Sequence, residues 1–349
     1  MIVKKTVSNS KNFVNIKSWI NAVLESELKH TMPILTYPGL NFTGKKARDI
    51  VTKGEEQYHC IKVLAERYPS AASVMAMDLS VEAEAFGAQV DFKDNEIPSV
   101  KSRLINGSSM IQNLKIPGPG AARTSEYLKA ARLAAENIND KPVFGVMIGP
   151  FSLAGRLYDI SEMLVFTLMD RENSHNLISK CTAFLKEYAL MYKKCGTDGI
   201  LIAEPAAGLL SAGMCEEYSS AYIKDIVDYV QDDSFMVILH NCGNTGELVE
   251  SMAATGAMGL HFGNAVDMMK ILAKTPPDRL VFGNIDPVGI IKNSDPHKVK
   301  SAVGNLLEKT AGYRNFVLSS GCDIPYDTPE ENINAFFEAL EEYNKKSII

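Results

Sequence analysis

His240 and Cys242, joined eighty positions later by Cys322, offer one imidazole and two thiolates to a single ion. That is the donor set of a zinc site with three protein ligands, and such a site keeps its fourth position for substrate. The motifs read His240-Asn-Cys-Gly and Ser319-Ser-Gly-Cys-Asp. A strand sends residues i and i+2 to the same side, so His240 and Cys242 reach one ion while Asn241 turns aside. Gly243 and Gly321, each beside a cysteine, give the turns freedom to bring the thiolates together. The competing reading is a buried polar histidine with two unrelated core cysteines, and the combined spacing favours the metal. Two thiolates and a neutral imidazole bring the formal charge of Zn²⁺ near zero and disfavour magnesium or calcium. A substrate thiol in the open position would lose its proton to the cation's influence yet stay nucleophilic, because the other sulfurs donate charge. A site built to polarise water more often carries three histidines or a carboxylate.

These residues need a scaffold that gathers distant segments at one end. Eight short apolar runs recur: Met32–Thr36, Ser73–Asp78, Val143–Ile148, Gly199–Ala203, Phe235–His240, Met258–Phe262, Leu280–Ile285 and Asn315–Ser319. Segments with helical periodicity lie between them, among them Glu126–Asn137, Leu177–Lys194, Tyr218–Tyr229 and Pro296–Thr310. Eight alternating units predict an α/β fold, a (β/α)8 TIM barrel, with Lys11–Leu28 as an extra N-terminal helix. An open doubly wound sheet is the alternative. Pro98 and Ile116-Pro-Gly-Pro-Gly-Ala mark a long loop after the second strand. No linker composition divides the chain, so residues 1–349 are expected to form one domain.

Barrel enzymes place working residues at the C-terminal strand ends. Asp78 ends the second run, Glu204 follows the fourth, His240 ends the fifth, Asp286 follows the seventh and Cys322 the eighth. Glu204 is a candidate fourth metal ligand when substrate is absent, a wall residue that orients substrate, or a cap of the next helix, and Asp78 a site acid or an N-cap. His261 reads as a core histidine bonded to a neighbour rather than as a ligand. The remaining histidines and cysteines fall on helices or linkers, and the methionines read as core filler. No phosphate-cradling glycine motif follows a strand.

Composition narrows the classes. Hydrophobic residues at 46% and charged residues at 22% suit a globular enzyme. A net charge of −6 without a basic block excludes a nucleic-acid partner. No signal-peptide core opens the chain and no apolar run of about eighteen residues occurs, so a cytoplasmic protein with no membrane contact is expected. Six scattered cysteines predict reduced thiols.

The sequence resembles the uroporphyrinogen decarboxylase superfamily over nearly its whole length, and within it the zinc-dependent methylcobamide:coenzyme M methyltransferases. The likeness is carried by Asp78-Leu-Ser-Val-Glu-Ala-Glu-Ala-Phe-Gly, Gly149-Pro-Phe-Ser-Leu-Ala-Gly-Arg, His240-Asn-Cys-Gly-Asn, Gly283-Asn-Ile-Asp-Pro and Ser320-Gly-Cys-Asp-Ile-Pro. The third and fifth look specific to the methyltransferases. The decarboxylases carry an arginine-rich N-terminal motif that Pro33-Ile-Leu-Thr-Tyr-Pro-Gly-Leu lacks, and a histidine where this chain has Cys322. Asp78 matches the decarboxylases' pyrrole-binding aspartate and so does not discriminate.

The resemblance implies a zinc-held thiolate attacking the methyl group of a methylated corrinoid. A corrinoid carrier protein would present that group at the barrel mouth to a small thiol acceptor such as coenzyme M. Val81–Gly87 and Ile116–Ala121 would line the mouth, with Glu82, Glu84 and Asp286 as candidates to touch the substrates. A porphyrinogen decarboxylase and a non-catalytic corrinoid- or zinc-binding barrel are the alternatives.

Overall fold

The computed structural model describes residues 15–347. Eight strands form one sheet: β1 (His30–Thr31), β2 (Ser73–Val74), β3 (Val143–Ile148), β4 (Gly199–Ala203), β5 (Met236–Asn241), β6 (Gly259–Phe262), β7 (Leu280–Ile285) and β8 (Phe316–Ser320). Their order is β1-β8-β7-β6-β5-β4-β3-β2 and every neighbouring pair is parallel. The end strands meet where Ala71 N–H donates to Thr31 O at 2.8 Å. The sheet therefore curls into a (β/α)8 barrel rather than an open doubly wound sheet. Strands sandwiched between a filled interior and a ring of helices must be apolar on both faces, and β3, β4, β5, β6 and β8 are buried throughout.

Six of the eight expected runs coincide with strands to within one residue at each end. The first strand lies just before its expected run, at His30–Thr31 rather than Met32–Thr36, and the second ends at Val74 rather than Asp78. Pro33 has no N–H to continue the ladder, so after Met32 N donates to Leu318 O the pairing stops. Ile34 N turns instead to Ser320 Oγ at 3.1 Å. Beyond β2 the ladder lasts only as far as Met75 N, which donates to Phe144 O. The released segments, Met75–Ser80 and Pro33–Thr36, run on toward the mouth and carry site residues there.

The N-terminal helix spans Ile16–Glu25 and begins at Asn15, whose side chain accepts from Lys17 N; residues 11–14 of the expected helix lie outside the described residues. Its apolar face, Ile16, Trp19, Ile20 and Val23, packs against Met236, Leu280, Phe282 and Val317 from the strand starts. Trp19 lies 6.0 Å from the Phe144 ring. The helix thus plugs the barrel at the end opposite the strand C-termini. Helices Thr124–Asn137, Arg171–Lys194 and Pro296–Lys309 follow the sequence periodicity. The expected helix at Tyr218–Tyr229 is instead a π-helical turn, Glu216–Ser220, leading into Ala221–Val230.

The long connection after β2 has structure of its own. It holds the helix Val81–Ala85, a ribbon pairing Val90–Asp91 with Ser99–Val100, and the helix Ser108–Asn113. Among the described residues no helix is long and apolar enough to cross a membrane.

Candidate metal centre and its surroundings

His240 is the penultimate residue of β5, in register with Ala203 of β4 and His261 of β6. Cys242 follows β5, and Cys322 lies two residues past β8. The ligand atoms of His240, Cys242 and Cys322 all lie within 4.8 Å of one another. Asn241 does turn aside: its Nδ2 donates to Glu204 O at 2.7 Å and its Oδ1 accepts from Gly243 N at 2.9 Å. That bracing fixes the turn that delivers Cys242.

The glycines serve a different purpose from the one expected. Neither Gly243 nor Gly321 has a left-handed backbone. Gly321 is required by crowding, since a Cβ there would lie 2.6 Å from Asn264 N. A Cβ on Gly263 would likewise lie 2.4 Å from Cys242 O. The loops after β5, β6 and β8 are therefore pressed together, which closes the cluster.

The thiols share charge unequally. The neighbouring Cys322 thiol, with His240 beside it, holds Cys242 well below the usual thiol range. The Cys242 sulfur and burial push Cys322 far up. Two thiolates this close repel, so the second is costly to form without a cation beside it. The spacing suits zinc, whose tetrahedral shell with Zn–S of about 2.3 Å and Zn–N of about 2.0 Å would place nitrogen and sulfur about 3.5 Å apart. His240 Nε2 and Cys322 Sγ are 3.8 Å apart. His240 Nδ1 lies 2.8 Å from His261 Nδ1, so His261 contacts the ligand rather than joining the cluster. Burial holds His261 well below the usual imidazole range, which keeps it neutral.

Glu204 stands apart from this cluster, contrary to its placement as a fourth ligand. Its Oε1 accepts from Phe151 N at 2.8 Å and Ser219 Oγ at 3.1 Å, and its Oε2 from Ser152 N at 2.9 Å. The carboxylate caps the helix Pro150–Tyr158, and Gly149 leaves the space, because a Cβ there would lie 2.3 Å from Oε2. Asp286 is also a cap: its Oδ1 accepts from Val288 N and Gly289 N at the start of the π-helical turn Pro287–Lys292.

Asp78 lies in a second buried group. Its Oδ1 accepts from Ser80 N at 2.9 Å and Ser80 Oγ at 2.6 Å; its Oδ2 accepts from Arg123 Nη1 at 2.6 Å and Tyr127 OH at 3.2 Å. Arg123 also pairs with Glu84 and lies over the Phe92 ring at 4.7 Å. Glu82 is fully buried, accepts from Ile148 N at 3.0 Å, and is raised by burial to about 8. Beside Cys322, Asp323 accepts from Thr36 Oγ1 at 2.7 Å and is raised by burial to about 7. Sequence reasoning missed Arg123, Tyr127 and Asp323. Arg123 lies two residues beyond the Pro/Gly-rich segment Ile116–Ala121 that the sequence marks as a mouth loop, and that position was the available signal.

Comparisons with known proteins agree with this architecture. Residues 41–343 match the family model described as uroporphyrinogen decarboxylase. A methylcobamide:CoM methyltransferase MtbA of Methanosarcina acetivorans is 30% identical over 302 residues, covering 85% of each chain. A uroporphyrinogen decarboxylase of Legionella pneumophila is 25% identical over 284 residues, covering 79% of this chain and 80% of that one. The solved structure of a methyltransferase from Methanosarcina mazei superposes with a TM-score of 0.85 at 21% identity, covering 94% of this chain and 99% of that chain.

Proposed function

Since the chain belongs to the uroporphyrinogen decarboxylase family, whose members similar to it include methylcobamide:CoM methyltransferases, we propose that it moves a methyl group from a methylated corrinoid to a thiol such as coenzyme M. The observation that carries this reading is the cluster of His240, Cys242 and Cys322 at the strand C-termini. These three residues would hold zinc. When bound, zinc supplies the positive charge that lets an acceptor thiol lose its proton near neutral pH. The acceptor sulfur then forms a bond to the methyl carbon as the cobalt–carbon bond breaks, and that bond's electron pair stays on cobalt.

The protein's own residues set the geometry. His240 is almost wholly buried, which excludes water from one side of the reacting sulfur. Cys242 and Cys322 are half-buried, so the accessible side of the cluster faces the mouth. Glu84 already pairs with Arg123 through Oε2 and Asp286 already caps Pro287–Lys292 through Oδ1, so any contact of theirs with the corrinoid's rim would fall to the remaining oxygen of each. A corrinoid carrier protein would present the cofactor over this opening.

The decarboxylase alternative receives less support. Both oxygens of Asp78 already accept from Ser80, Arg123 and Tyr127, which leaves little acceptor capacity for pyrrole N–H groups. The test is incubation with methylcobalamin and a panel of thiols, coenzyme M first, following the absorbance change of demethylation with and without zinc. Absence of zinc-dependent turnover with every acceptor would refute the proposal, and carbon dioxide release from uroporphyrinogen by zinc-free protein would favour the decarboxylase.

A further inference from the structure

His240 has two ring nitrogens, and only one is free for an ion if the other carries the proton. Which one carries it is decided by a chain of contacts leading away from the cluster. His240 Nδ1 lies 2.8 Å from His261 Nδ1, and His261 Nε2 lies 2.9 Å from Ser319 Oγ. Ser319 Oγ lies 2.7 Å from Met32 O.

The end of the chain fixes its direction. A backbone carbonyl only accepts, so the single Ser319 hydroxyl hydrogen is committed to Met32 O. Ser319 Oγ must then accept from His261, which places the His261 proton on Nε2. A neutral His261 with that proton has a lone pair on Nδ1. His240 Nδ1 must therefore be the donor between the two rings. What remains on His240 is the Nε2 lone pair, which faces Cys322 at 3.8 Å.

We propose that His261 is a positioning residue: through Ser319 and Met32 it fixes the tautomer of His240 so that Nε2 is held as the metal-facing lone pair. The inference rests on the zinc reading of the cluster. The contact also sets charge. Metal-bound histidines often donate to a carboxylate, whereas this chain ends on a neutral carbonyl. The relay itself therefore brings no negative charge to the cluster; a carboxyl group reaches it only from elsewhere, as Asp323 does beside Cys322. Pro33 contributes as well, because it ends the β1 ladder directly after Met32.

Long-range proton–nitrogen NMR on metal-free, ¹⁵N-histidine-labelled protein tests the chain directly. The wild type should show His240 with an unprotonated Nε2. His261→Leu removes the acceptor, so His240 should populate the Nε2–H form, and zinc affinity measured against a chromogenic chelator should weaken about 10–100-fold. His261→Asn, whose Oδ1 can stand where Nδ1 does, should restore most of that affinity. Ser319→Ala keeps both rings and should give mixed tautomers of His261 even if His261→Leu folds poorly. A protonated Nε2 in the wild type, or unchanged zinc affinity in a folded His261→Leu protein, overturns the inference. Failure of the wild type to bind zinc would instead overturn the metal reading, with the spectra still judging the hydrogen-bond chain.

Discussion

Asp78 and Arg123 form an ion pair sealed under the barrel mouth, with 2.6 Å between Oδ2 and Nη1 and both side chains almost fully buried. A buried pair is costly to break one-sidedly, because the surviving charge keeps its desolvation penalty without compensation. Arg123→Met should therefore destabilise the protein by about 3–5 kcal/mol. The double variant Asp78→Asn/Arg123→Met should recover part of that loss. Urea unfolding of the three proteins checks this, and equal stability of the single variant and wild type would contradict it.

Glu82 makes stability depend on pH in a direction opposite to that of most carboxylates. Its folded value of about 8 exceeds the ordinary value of 4.5, so between these limits the folded state holds a proton that the unfolded state has lost. Stability from this group is complete below pH 4.5 and is lost as pH rises through about 8. Relative to Glu82→Gln, the wild type should lose stability by up to about 1.4 kcal/mol per pH unit over that window. Denaturation of both proteins at several pH values measures the difference, and parallel curves would refute it.

Capping by Glu204 separates two roles that the strand-end position alone leaves mixed. Glu204→Ala strands the N–H groups of Phe151 and Ser152 in a buried site, at a cost of about 1–3 kcal/mol each. Zinc stoichiometry, measured on the purified variant, should nevertheless stay at the wild-type level. Loss of the ion without loss of stability would restore Glu204 as a ligand.

Metal dependence should follow the sulfurs. Chelation should remove turnover, and zinc should restore it where magnesium does not, since thiolates select against hard cations. Cys322→Ala should abolish stoichiometric zinc retention in a folded protein. Retention of zinc by that variant would show that the ion sits elsewhere.

The barrel was legible because strands buried on both faces must be continuously apolar, and six runs matched their strands closely. The first strand was misplaced, because β1 ends at Thr31 before the apolar run Met32–Thr36 begins, and the second was overrun because its apolar run continues past Val74 while the pairing does not. His240, Cys242 and Cys322 could be read from a two-residue period and the ends of two strands. Arg123 could not, since its partner Asp78 lies 45 positions away and no local period links them. The tasks of Glu204 and Asp286 were hidden for a similar reason. A strand-end carboxylate looks the same in sequence whether it faces a substrate or caps a helix, and Glu204 caps one that begins 54 positions earlier, at Pro150.

Trp19 and its helix close one end of the barrel, and that has a bearing on the order of events. With that end closed among the described residues, whatever reaches the cluster through the mouth leaves by the mouth. Under the proposed methyl transfer, a corrinoid lying across the opening would trap the acceptor beneath it. The thiol would have to bind first and its methylated product depart last, giving an ordered rather than a random kinetic scheme.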